Sequence, residues 1–302
     1  MDNLEKIKLL PLILGASTLS LDPEVEQKVG SKLFGLARSN AAKINVYRIL
    51  YRSGRNKIMG YMIEPKILKK KIPCIIWNRG GSREFGSIKQ GQLFIDLAEV
   101  TKQGYIVIAS NYAGGPGSEG ADDWGGDNLV DILNLYKILK EYAWADTTKI
   151  GMYGWSRGAA MTYMCLSKVR WIKAAVAGAG PTDEVSAPSF RKGWREHQIN
   201  LYGESQKEQI KRSALYWAEK LPKKTPLLIM HGTADWRVNP LDSIRLAEKL
   251  LNQRIPFRLV MFEGGDHGLS EFKVEETKLT LEWFERFLKN NEPLPNTKPH
   301  GS

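Results

Sequence analysis

The chain is poor in cysteine and histidine, with two of the first and four of the second in 302 residues. Two cysteines do not make a disulfide framework, and no Cys/His spacing of metal-ligand type surrounds them. Cys74 and Cys165 fall in apolar stretches and read as buried free thiols. That fits a reducing, cytoplasmic setting. Long hydrophobic runs are also missing. Residues 9–14 are apolar but interrupted by Pro11, far short of the ~20 residues that span a bilayer. Asp2 and Glu5 spoil the positive start of a signal peptide. No membrane partner is expected. Acidic residues are outnumbered, giving a net charge of +11. The lysines are scattered, and no basic stripe is interleaved with aromatics, so no nucleic-acid partner is expected either.

What is present is a regular alternation of strand-like and helix-like segments. Residues 44–51 partly alternate, Gly54-Arg55 turns the chain, and residues 57–63 return, which predicts a hairpin. Near-continuous apolar runs at 72–78, 105–109, 149–153, 174–178, 226–231 and 257–262 predict strands, most of them covered on both faces. Helical patterns at 92–103, 127–142, 241–252 and 274–288 separate them. This order predicts an α/β fold: a mostly parallel eight-stranded sheet flanked by helices. Residues 181–224, rich in Trp, Arg and Tyr, read as a small helical cap insertion. Residues 1–44 read as an N-terminal extension packed on the main domain, with 33–42 helical. The main domain spans 45–290, and 291–302 form a tail. The glycines within 111–120 precede no Walker lysine and open no helix with G-x-G-x-x-G, so no phosphate-binding cofactor is expected.

One stretch organises the rest. Gly154-Trp155-Ser156-Arg157-Gly158 follows a short buried strand and opens a helix. G-x-S-x-G at such a junction is the nucleophile elbow of an α/β-hydrolase fold. A serine hydroxyl needs a base to take its proton, and the base needs an orienting carboxylate. In this fold the chain order is Ser, then acid, then His. His300 lies in the tail, His197 in the insertion, and His231 precedes the candidate acid. His267, directly after the last strand, remains. Asp235 follows the strand that ends at His231 and is the candidate acid. Asp266 and Glu263 sit too close to His267 to belong to a separate strand end. The oxyanion hole takes one donor from the backbone N–H of Arg157. The loop holding Gly80-Gly81 is placed to supply another. Trp155, Trp194 and Trp236 are candidates for lining the pocket, with core packing the readier reading.

The segments Arg79-Gly80-Gly81-Ser82, 111–120, Gly154-Trp155-Ser156-Arg157-Gly158, 225–238 and 264–268 resemble the catalytic domain of the prolyl oligopeptidase family of serine hydrolases. The likeness covers roughly residues 44–288. It implies Ser156, Asp235 and His267 as triad, with Gly81 and Arg157 as backbone oxyanion donors. The family's usual His-Gly-Gly-Pro loop is here Arg79-Gly80-Gly81-Ser82. Full-length members place a β-propeller before the hydrolase domain, for which this chain has no room.

These readings predict a serine hydrolase that cleaves ester or amide bonds through an acyl-enzyme, carboxylesterase-like or peptidase-like. No metal or cofactor is implied. The partner expected is a small ester or short peptide, and a homo-oligomer is compatible with the sequence. The rival reading is a non-catalytic binding protein on a hydrolase scaffold.

Overall fold

A computed structural model describes residues 1–301. The chain divides into two compact units. The first holds residues 1–122 and 130–149; the second holds 123–129 and the chain from Ile150 onward. Among the described residues there are nine strands, partly parallel and partly antiparallel, flanked by helices with helical insertions. The arrangement is α/β-hydrolase-like.

In the first unit lie β1 (Ile13–Thr18), β2 (Ile44–Ser53), β3 (Asn56–Pro65), β4 (Ile72–Asn78) and β5 (Ile106–Ser110). Their order is β1-β2-β3-β5-β4. β1, β2, β3 and β5 pair antiparallel in turn, and β4 joins β5 in parallel. The predicted hairpin is β2–β3, closing with Ser53 opposite Asn56. Gly54 takes φ +58° at the first turn position, a conformation that costs glycine little. The apolar runs of β4 and β5 are buried: Cys74, Ile75, Ile76 and residues 106–109 have no exposed surface.

The expected eight strands become nine because β1 adds to the antiparallel side. Its burial follows no two-residue alternation, and most of it is half-buried or exposed. An edge strand of that kind carries no periodic signal.

β6 (Ala145–Trp155) starts in the first unit and ends in the second. The second unit continues with β7 (Ile172–Gly178), β8 (Leu227–Gly232) and β9 (Phe257–Phe262), all parallel. Parallel pairing brings the C-terminal ends of these strands to one edge. Trp155 pairs with Gly178, Gly178 with Met230, and Gly232 with Phe262. Three loops therefore leave the sheet at that one edge, after Trp155, Gly232 and Phe262.

The insertion between β7 and β8 is helical, with Ala187–Phe190, Trp194–Tyr202 and Gln206–Lys211. A buried carboxylate anchors it. Glu184 Oε2 accepts from Trp194 Nε1 at 2.9 Å, Gln198 Nε2 at 2.9 Å and Tyr202 Oη at 3.0 Å. Beside this anchor, Trp194 packs edge-on against Trp124 with ring centroids 5.3 Å apart.

Candidate active site

The elbow forms as steric crowding demands. Ser156 has φ 57° and ψ −125° between β6 and the helix Arg157–Lys168. Such a backbone conformation costs a non-glycine residue on the order of 1–3 kcal/mol. It is held by the Ser156 N–H donating to the Gly178 carbonyl at 2.8 Å. Gly154 allows the strand to pass the helix, since a Cβ there would lie 2.0 Å from the Gly158 carbonyl oxygen. At the neighbouring loops, a Cβ on Gly232 would lie 2.2 Å from the Gly265 carbonyl oxygen. The turn carrying Asp235 and the loop carrying His267 are thereby brought into backbone contact.

The three predicted side chains meet in the second unit. His267 Nε2 is 2.9 Å from Ser156 Oγ, and His267 Nδ1 is 2.7 Å from Asp235 Oδ2. Asp235 is buried, whereas Ser156 and the His267 ring are partly exposed. The other carboxylate oxygen of Asp235 accepts the N–H of Arg237 at 2.8 Å and of Val238 at 3.0 Å. Burial pushes the Asp235 carboxyl up, but hydrogen bonds from His231, His267 and Val238 outweigh it. They hold the group well below the usual carboxylate range. Trp155 ties the elbow to the histidine loop, its Nε1 donating to the His267 carbonyl at 2.7 Å.

The rejected acid Asp266 has other work. It caps its own loop, accepting from the N–H of Gly268 and Ser270, each at 2.9 Å. His231 stands apart from Ser156 in sequence order, yet its Nε2 is 3.1 Å from Asp235 Oδ2. The motif order alone does not point to that contact. The only hint was a histidine four residues before the acid, across a tight turn.

Arg157 is the first residue of the elbow helix, at the positive end of its dipole. Nothing in the sequence pattern marks its side chain. The guanidinium is fully buried, donates to Asn128 Oδ1 at 3.2 Å and stacks 4.9 Å from the Trp124 ring centroid. It thus fastens segment 123–129 to the elbow. Of the candidate pocket tryptophans, Trp194 is buried in the insertion and Trp236 is 63% exposed, stacked on Arg237.

Gly81 belongs to the first unit, with φ +68° in the loop after β4. Arg79 acts as that loop's template. Its buried guanidinium donates to the carbonyls of Asn111, Gly80, Arg83 and Phe85 at 2.7–3.3 Å. Among the described residues no group of three His, Cys, Asp or Glu side chains is placed to hold a metal ion. Nor is any helix long and apolar enough to cross a membrane.

Comparison with known proteins follows the same lines. The uncharacterized peptidase YtmA of Bacillus subtilis is 23% identical over 257 residues, 83% of this chain and 96% of that protein. Dipeptidyl-peptidase 5 of Porphyromonas gingivalis is 24% identical over 78% of this chain. Among solved structures, acylaminoacyl peptidase of Pyrococcus horikoshii superposes with a TM-score of 0.75 at 23% identity, over 84% of this chain. A puromycin hydrolase superposes with a TM-score of 0.70 at 20% identity, over 85% of this chain. The chain spans only 36%, 43% and 41% of the last three proteins, respectively. A profile of the prolyl oligopeptidase family matches residues 93–291, a range that takes in Ser156, Arg157, Asp235 and His267 and leaves out Gly81. With about two thirds of its length inside that match, the chain belongs to the prolyl oligopeptidase family of serine hydrolases.

Proposed function

We propose that the protein hydrolyses ester or amide bonds of small esters and short peptides, with Ser156 as nucleophile, His267 as general base and acid, and Asp235 as its orienting carboxylate. The observation that carries this reading is the unbroken chain from Ser156 Oγ through both His267 nitrogens to Asp235, at 2.9 and 2.7 Å.

In the reaction, Ser156 Oγ attacks the substrate carbonyl carbon while its proton passes to His267 Nε2. The Nδ1–H of His267 donates to Asp235, which keeps Nε2 as the acceptor and stabilises the imidazolium that forms. The tetrahedral oxyanion takes a hydrogen bond from the Arg157 N–H, at the positive end of the elbow helix. The Gly81 N–H is the second donor, a role that rests on the sequence pattern around it. Collapse expels the amine or alcohol, which receives the proton from His267. A water, deprotonated in turn by His267, then attacks the acyl carbon, and collapse releases the acid as His267 returns the proton to Ser156 Oγ. Relatives named as peptidases support a peptide amide among the substrates. The two buried free cysteines support a cytoplasmic setting.

The test is labelling by a fluorophosphonate probe. Wild type is expected to label at Ser156, and S156A not at all. Wild type that does not label overturns the reading. A panel of acyl esters and aminoacyl or peptide amides then ranks the substrates by kcat/KM.

A further inference from the structure

The acid of the triad serves two imidazoles. His231, near the end of β8, has no exposed surface. Its Nε2 faces Asp235 Oδ2 at 3.1 Å and the Val238 carbonyl oxygen at 3.3 Å. Both neighbours accept and neither donates, so Nε2 carries a proton. Its Nδ1 is 2.7 Å from Ser243 Oγ, on the helix Pro240–Asn252. The ring is thus pinned at both nitrogens between a strand, a turn and a helix.

This sets the carboxylate from two sides. One oxygen of Asp235 is held by two backbone N–H groups of its own turn. The other, the oxygen that holds His267, has its second hydrogen bond from His231. The turn alone fixes one end of the carboxylate. His231 fixes the end that matters to His267, and it does so from a strand of the sheet.

We propose that His231 is a positioning residue for the reaction. It aims Asp235 Oδ2 at His267 Nδ1 and so keeps His267 Nε2 in line with Ser156. The proposal rests on the serine-hydrolase reading above. His231 precedes the acid in the chain, so the order Ser, acid, His does not make it the base of the triad. It acts instead through the acid.

Three variants test it. H231L removes the donor and keeps apolar bulk. H231Q keeps an N–H near the place of Nε2. S243A leaves the ring and removes its brace. Melting curves establish which variants fold. In H231L, kcat and the rate of fluorophosphonate labelling are expected to fall roughly 10- to 100-fold, the effect of losing one hydrogen bond to a charged group. KM stays near wild type. H231Q recovers most of the loss, and S243A shows a smaller fall. The downfield proton resonance of the His267–Asp235 hydrogen bond moves or broadens in H231L and returns in H231Q. That resonance is read without substrate, so it decides the positioning role even where wild type fails to label, an outcome that sinks only the hydrolase reading. A folded H231L with wild-type kcat and an unmoved resonance overturns the proposal. Equal losses in H231L and H231Q overturn it too. Should H231L not fold, S243A with wild-type rate and resonance does the same.

Discussion

Replacing Gly154 with alanine tests the elbow at its tightest point. The added methyl would meet Gly158 O at 2.0 Å, Gly158 C at 2.2 Å and Ala159 N at 2.7 Å. All three atoms are backbone, so no side chain can swing away. Normal contact for a carbon is about 3.5 Å, and strand and helix must part by more than about 1 Å to reach it. Ser156 lies on the short link between them. The displacement therefore falls on the contact of 2.9 Å between Ser156 Oγ and His267 Nε2. Misplacement by about 1 Å at a reacting centre costs on the order of 100-fold in rate. Overpacking of this kind costs about 1–3 kcal/mol in stability. The assays are the second-order rate of fluorophosphonate labelling and a calorimetric melt. G35A is the control. Gly35 lies inside the helix Ser31–Ala41 with nothing within 4 Å of an added Cβ, so alanine there is expected to raise stability by up to about 1 kcal/mol. G154A that labels at the wild-type rate and melts with wild type would refute the reasoning.

Three further outcomes follow from buried groups. Burial, with Asp183 and Glu184 nearby, pushes the Asp242 carboxyl up to about 7, while in the unfolded chain it titrates near 3.9. The folded state therefore holds this proton through the interval between, and stability falls as pH rises across it. D242N is expected to melt above wild type at pH 8 and to lose that advantage by about pH 4; an advantage that grows as pH falls would contradict the sign. Burial also pushes the thiols of Cys74 and Cys165 well above the usual range. A colorimetric thiol reagent should find no reactive thiol in the native protein and two after unfolding, and iodoacetamide should leave activity intact. R79K keeps the charge but lacks the planar fork that reaches four carbonyls. Hydrogen exchange should speed up across residues 80–86 in that variant, and unchanged protection there would remove Arg79 as the loop's template.

Some features were legible because they are local. Backbone crowding at Gly154, Ser156 and Gly158 is written into five consecutive residues. β4, β5, β7 and β8 announce themselves as apolar runs because both their faces are covered. The choice of Asp235 and His267 needed only the order of elements along the chain, since parallel strands send their following loops to one edge. Other features carried no such mark. β1 is an edge strand whose side chains alternate between no consistent environments. Arg79 and Arg157 look like solvent-facing charges in a basic sequence, yet both guanidinium groups are buried against carbonyls, an amide and aromatic rings.

The sequence by itself determined the tight turn at Gly154–Gly158, the α/β layering and which residues lie at strand ends, because sterics and hydrophobic periodicity act between near neighbours. Tertiary structure alone decided that Asp235 is shared by two imidazoles, that Trp155 latches the His267 loop, and that buried arginines brace the loops around them. Those partners are chosen by distances of about 3 Å between groups up to 112 positions apart. A hydrogen bond falls away within a fraction of an ångström, so which donor meets which acceptor emerges only once the chain is packed.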